Sequence, residues 1–394
     1  MSQNKPPVFL SYAFRPFFLL ASLYSMLALV LWVAVFHGAG WPGAGTPGGI
    51  SSLWHAREMT LGFAGGVVAG FVLTAVASWT GRPPIRGGML VVLIMAWLAG
   101  RLVATVGGTL PPGLVAGIDL VFPVLLAALV SREIIGGGSR RNYGIAAIVW
   151  VLPALVLLYY LGELDLVAGG DQLAVTMMVH LIMLLIAVVG GRVIPLFTAN
   201  WLRMRGESRP LVPRPLLDPL AIALIIVAGL ADAVAPGSAP AGFLLLLAGA
   251  VNLWRLRGWQ GSRALSNPVV WSLHLAYACA AVGYLLVGLS ALGLPLARTA
   301  ALHMVTIGGI GGMILAMMTR VGLGHTGRPI IVVRPIAIAY LLLLLAAVLR
   351  SIGPLLPAPY MALIDAAALL WVVAFGLFLG VYAPILLGPR ADGK

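Results

Sequence analysis

Twelve apolar runs of about 20 residues, the length a helix needs to cross the hydrocarbon core of a bilayer, follow one another with only short connections. They fall near 17–37, 53–78, 88–108, 112–131, 143–163 and 171–200, then near 215–235, 239–256, 268–292, 297–320, 334–352 and 359–387. Backbone N–H and C=O groups in lipid must be paired within a helix or a closed barrel. Runs this long are helices, so the expected fold is an all-α polytopic membrane protein of about twelve transmembrane helices. The loops leave no room for a soluble domain, and residues 1–394 are expected to form a single integral membrane domain. Composition agrees: charged residues make up 9% of the chain, against roughly a quarter in a soluble globule.

A net charge of +13 would point to nucleic acid in a soluble protein, but here its placement gives it another meaning. Lys5 and Arg15 precede helix 1, Arg82 and Arg86 follow helix 2, and Arg132, Arg140 and Arg141 follow helix 4. Arg203, Arg205, Arg209 and Arg214 follow helix 6, and Arg255, Arg257 and Arg263 follow helix 8. Arg320, Arg328 and Arg334 follow helix 10, and Arg390 and Lys394 close the chain. The alternate loops hold little beyond Arg298, Arg350 and the acids Glu163, Asp165 and Asp171. Cytoplasmic loops retain Lys and Arg, so both termini are expected in the cytoplasm; the partner is the lipid bilayer, with no nucleic acid. The N-terminus has no cleavable-signal pattern, and the first span is expected to stay as an anchor. A lone cysteine, Cys279, excludes an internal disulfide framework and a multi-thiolate metal site, which leaves His and Met as metal ligands.

Short repeats mark particular helices. "WTGRPP" ends helix 2 and "HTGRPI" ends helix 10; upstream of each lies a His, His55 or His303, and then a Gly pair, Gly65-Gly66 or Gly311-Gly312. Helix 6 carries a weaker echo, with His180 before Gly190-Gly191. A marked helix at every fourth position suggests three four-helix arcs.

Charged and imidazole groups within hydrocarbon are functional hypotheses by default. His303 lies about 8 Å below the outer end of helix 10, and His55 is within about one turn of the same level. Two imidazoles at one depth can clamp an iron, and neutral imidazole suits both haem iron and copper; against this stands an ordinary hydrogen-bonded packing role. Glu58 shares the helical face of His55 and is expected to orient its ring or hold a water. The bland reading of Glu58 is a hydrated carboxylate at the helix mouth, paired with Arg57. Arg57, about 100° round the helix from Glu58, is expected to point to a haem propionate or the aqueous edge. Met177, His180 and Met183 form a copper-compatible face on helix 6, although such stripes are more often core. His274, near the start of helix 9, and His325, after helix 10, can meet as a second metal pair. Arg101 and Arg192 are deep enough to need partners, for which a buried Asp119, a buried Asp365 or haem propionates would serve. His37 reads as a solvated loop residue.

"SYAFRPFFLLA" (11–21), "WHAREMTLGF" (54–63), "WTGRPP" (79–84), "GGRVIPLFTANWL" (190–202), "LHLAYA" (273–278) and "ALHMVTIGGIGGMILAMMTRVGLGHTGRP" (301–329) together resemble the NnrS family. The resemblance implies a haem- and copper-containing bacterial inner-membrane protein of nitric oxide response and resistance, often in denitrifying bacteria. The haem is expected to be of b type. By matching position, the family's histidines correspond to His55, His274, His303 and His325. Where many members read "HAHEM", this chain reads "HAREM", so Arg57 replaces a potential ligand. The arrangement also resembles haem-copper oxidases and nitric oxide reductases, but residues 215–235 contain no His, so their three-His copper site cannot be built in the usual way.

These readings favour a haem protein that binds or turns over nitric oxide or a related species, an oxidoreductase if it is an enzyme. The alternatives are a twelve-helix secondary transporter and an accessory protein that handles haem or metal. Transporters commonly place substrate between repeated halves, whereas the repeat here is spaced by four helices instead of six.

Overall fold

A computed structural model describes residues 6–43, 48–207 and 216–393. Lys5, Arg209, Arg214 and Lys394, which contributed to the expected orientation, lie outside the described residues. Among those described the chain is all-helical, with twelve helices long and apolar enough to cross a membrane. They are α1 (Phe14–Phe36), α2 (Ser52–Thr80), α3 (Gly88–Thr105), α4 (Pro112–Gly136), α5 (Arg140–Glu163) and α6 (Gly170–Met204). The second set is α7 (Leu217–Val234), α8 (Ala239–Arg257), α9 (Pro268–Ala291), α10 (Arg298–His325), α11 (Arg334–Ser351) and α12 (Tyr360–Leu387). The helix α10 runs further than its apolar stretch, so His325 is its last residue and not part of the following loop.

The chain divides into two compact units, one of Met1–Leu181, Val321–Pro329 and Leu379–Lys394, the other of Ile182–Arg320 and Ile330–Phe378. Each unit contains one helix that changes pitch. In the first, α2 is α-helical over Ser52–Arg57, widens to π-helical turns over Glu58–Ala64, and returns to α-helix from Gly65. In the second, α10 is α-helical over Arg298–His303, π-helical over Met304–Gly311, and α-helical again from Gly312. Such wide turns are rare and occur frequently at functional sites. The Gly pairs noted in the sequence therefore mark the end of each wide segment. The longer α6 carries the third Gly pair but stays α-helical throughout.

The same register runs well beyond α2 and α10. A constant interval of 246 residues relates Arg57 to His303, Thr60 to Thr306, Gly62 to Gly308 and the two "TGRP" stretches. It also relates α3 to α11, and the short 3-10 turn Gly107–Thr109 to Gly353–Leu355. Asp119 of α4 maps in this way onto Asp365 of α12. For α1 and α9 the interval is 255, because the α1–α2 connection is nine residues longer than the α9–α10 connection. Packing confirms the longer interval. A side-chain carbon placed on Gly66 would lie 3.3 Å from Ala21 Cβ, and one on Gly312 would lie 3.3 Å from Ala276 Cβ. Helices α1–α4 thus recur as α9–α12. Gly81 and Gly327, matched in register, both hold the left-handed backbone that closes the helix before Arg-Pro, at φ 70° and 71°.

Candidate functional site

The opening of the wide segment in α2 is a closed ring of charge. Arg57 Nη1 lies 2.7 Å from Glu58 Oε1, and Arg101 Nη1 lies 2.5 Å from Glu58 Oε2. Asp119 receives the second nitrogen of both guanidinium groups. Tyr24 donates to Glu58, Arg57 donates to the Tyr160 hydroxyl at 2.5 Å, and Tyr160 donates to Asp119 at 3.0 Å. The four charged side chains are between 0% and 3% exposed. Two cations and two anions in alternation leave no net charge, the condition under which buried ions are tolerable at all. Two glycines make room for the ring: a Cβ on Gly62 would lie 2.7 Å from Tyr24 and 2.9 Å from Glu58, and one on Gly100 would lie 2.5 Å from Asp119.

The geometry corrects three expectations. Arg57 does not point away from Glu58 but pairs with it and stacks 4.9 Å over the Tyr159 ring. Glu58 is not a hydrated mouth carboxylate; both its oxygens are engaged by Arg57, Arg101 and Tyr24. Asp365 is exposed and is not the buried partner that the sequence suggested; Arg192 is exposed on the surface of the chain as well. Arg101 does take Asp119 as its partner.

The histidines occupy different surroundings. The ring of His55 is half-buried and stacks on Trp32 with centroids 4.2 Å apart. Buried His180 lies on α6, and His37 is exposed. His325 packs 5.7 Å from the Phe14 ring, and its carbonyl accepts from Arg390. Nε2 of His274 is 2.8 Å from Thr198 Oγ1, whose own hydrogen goes to the Ile194 carbonyl. With that hydrogen on Ile194, Nε2 is the donor, which leaves Nδ1 with a lone pair, and Gly261 packs against that nitrogen where a Cβ would lie 2.4 Å away.

His303 stands where the wide segment of α10 begins. Its Nδ1 is 2.6 Å from the Thr299 carbonyl, and a carbonyl only accepts, so Nδ1 carries the proton and Nε2 the lone pair. Arg350 lies on α11, which packs against this first turn of α10, and is 8% exposed; it binds the Tyr360 hydroxyl at 2.9 Å and keeps Nη1 without a hydrogen-bond partner. The sequence reading left Arg350 among loop residues and passed over Tyr24 and Tyr160. The repeated "LP" and "ID" pairs around Asp119 and Asp365 are the signal that matches α4 to α12 in the repeat. Among the described residues no three His, Cys, Asp or Glu side chains converge as a metal cage.

The NnrS family model, described as NnrS protein, matches residues 8–390, nearly the whole chain. The chain belongs to the NnrS family. The family name carries a link to nitric oxide response, and among the features described above the two wide helical segments carry the residues that distinguish the two copies of the repeat in this member. No curated protein matches the chain.

Proposed function

We propose that this chain is a haem- and copper-binding protein of the bacterial inner membrane, with both termini in the cytoplasm, acting in nitric oxide response and resistance. In this reading it binds or turns over nitric oxide or a related small molecule at a His-ligated metal centre. The observation that carries the reading is His303, with its tautomer fixed by the Thr299 carbonyl and its Nε2 lone pair left to act as a ligand. The residues fit a haem. An imidazole nitrogen suits the iron, and Arg350 holds a buried N–H without a partner that suits an acidic haem edge.

A bound haem would supply an iron that binds nitric oxide. Thr299 holds the His303 ring, and Arg350 offsets negative charge beside it. His55, in the other unit, is proposed as an iron ligand in its own right. Copper is assigned to His274, whose Nδ1 keeps a lone pair, with His325 and His180 as further candidates. Arg57 and Arg101 are committed to carboxylates and are given no cofactor role here. The transporter reading is disfavoured because α1–α4 recur as α9–α12 on either side of α5–α8, whereas transporter substrate sites commonly lie where two repeats adjoin.

The test is an absorption spectrum with iron and copper analysis of the detergent-purified full chain. A Soret band that shifts with nitric oxide is expected, and the part of it held by His303 should be lost or turn high-spin in His303→Ala. A chain with no Soret band and no iron would overturn the reading.

A further inference from the structure

The two copies of the repeat differ in the space beside their wide segments. In the first unit that space is filled. Trp97 is 1% exposed, its Nε1 donates to the Gly62 carbonyl at 2.9 Å, and its ring packs edge-on against Tyr24 and Phe17 at 5.6 and 6.3 Å. The matching positions in the second unit are Leu343 for Trp97, Cys279 for Tyr24 and Ser272 for Phe17, by the intervals given above. Three aromatic rings are gone. One returns, since Tyr340 stands where the first unit has Ile94.

A small hollow results, partly open at its side and bounded by α9, α10 at Gly308 and Gly312, and α11. Its water-accessible volume is about 10 Å³, room for a single small molecule. Its polar edges are already used. Tyr340 shares a hydrogen bond with Thr319 at 2.5 Å, and Ser272 donates to the Val269 carbonyl at 3.3 Å. The Cys279 thiol is a weak donor. A buried water needs two to four polar partners, and apolar cavities without them stay dry and take up small apolar solutes.

We propose that this cavity binds one uncharged diatomic gas molecule beside the middle of α10, at Gly308 and Gly312. That the gas is nitric oxide rests on the function proposed above; that the cavity takes a diatomic does not.

Xenon is the probe, because it reads the cavity without any haem. In crystals of the full chain pressurised with xenon, an anomalous peak is expected between Cys279, Gly308 and Leu343. Leu343→Trp, which installs the side chain of the first unit, should abolish that peak. Trp97→Leu should create a matching peak beside Tyr24 and Gly62, so the proposal stays testable where Leu343→Trp does not fold. An ordered water there in place of xenon, or an empty cavity while xenon binds elsewhere in the chain, would overturn the proposal. If xenon binds and the protein carries no haem, the gas site stands and the proposed function fails.

Discussion

The wide segments of α2 and α10 begin at matched positions and share a backbone, yet the side chains around them solve different problems. Around α2, Arg57, Glu58, Arg101 and Asp119 close on one another, and Trp97 seals the side. At the matched positions around α10 stand His303, Met304, Ala347 and the exposed Asp365, with Leu343 beside them. One copy uses its polar groups to hold α1 to α5 together. The other exchanges them for a half-buried imidazole with a lone pair and a small cavity. A wide helical turn is therefore not in itself a site; the groups that it leaves unpaired decide.

The largest expected effect comes from breaking the ring. Asp119→Ala leaves two buried guanidinium groups facing one carboxylate and should destabilise the protein by about 3–5 kcal/mol, measured by reversible unfolding in detergent. Adding Arg101→Met restores neutrality, so the double variant should lose less than the sum of the single changes. Additive losses would show that the ring is not a unit.

Gly62→Ala should cost about 1–3 kcal/mol by forcing Tyr24 and Glu58 apart. Gly308→Ala in the other copy meets Cys279 Cβ at 2.8 Å and should cost a comparable amount without moving any charge. Its cost should therefore simply add to that of Asp119→Asn, whereas the cost of Gly62→Ala should not.

Thr198→Val removes the partner of His274 and should cost about 1 kcal/mol while lowering bound copper, read by metal analysis. His37→Ala, on an exposed loop, should stay within about 0.5 kcal/mol of the parent.

Most of the fold was legible because spanning helices depend on length and apolarity alone. The position of Asp119 opposite Arg101 was also legible, since a deep charge must find its opposite. Glu58 was legible as a neighbour of Arg57 but not as a member of a ring, because Arg101 and Tyr24 reach it from α3 and α1, far away in sequence. No local propensity announces the wide segment, in which the Gly62 carbonyl accepts from Trp97. Arg57 was sent outward by its angle on the helix, but its side chain is long enough to come back to Glu58.

The contrast between a closed copy and an open one is tested most directly by spectra of two variants purified beside the parent, His303→Ala and Glu58→Gln. Loss or conversion, in His303→Ala, of the part of the haem signal held by His303, with the spectrum of Glu58→Gln unchanged at equal folded protein, is the expected result. An unaltered spectrum in His303→Ala would contradict the assignment of the ligand to the second copy.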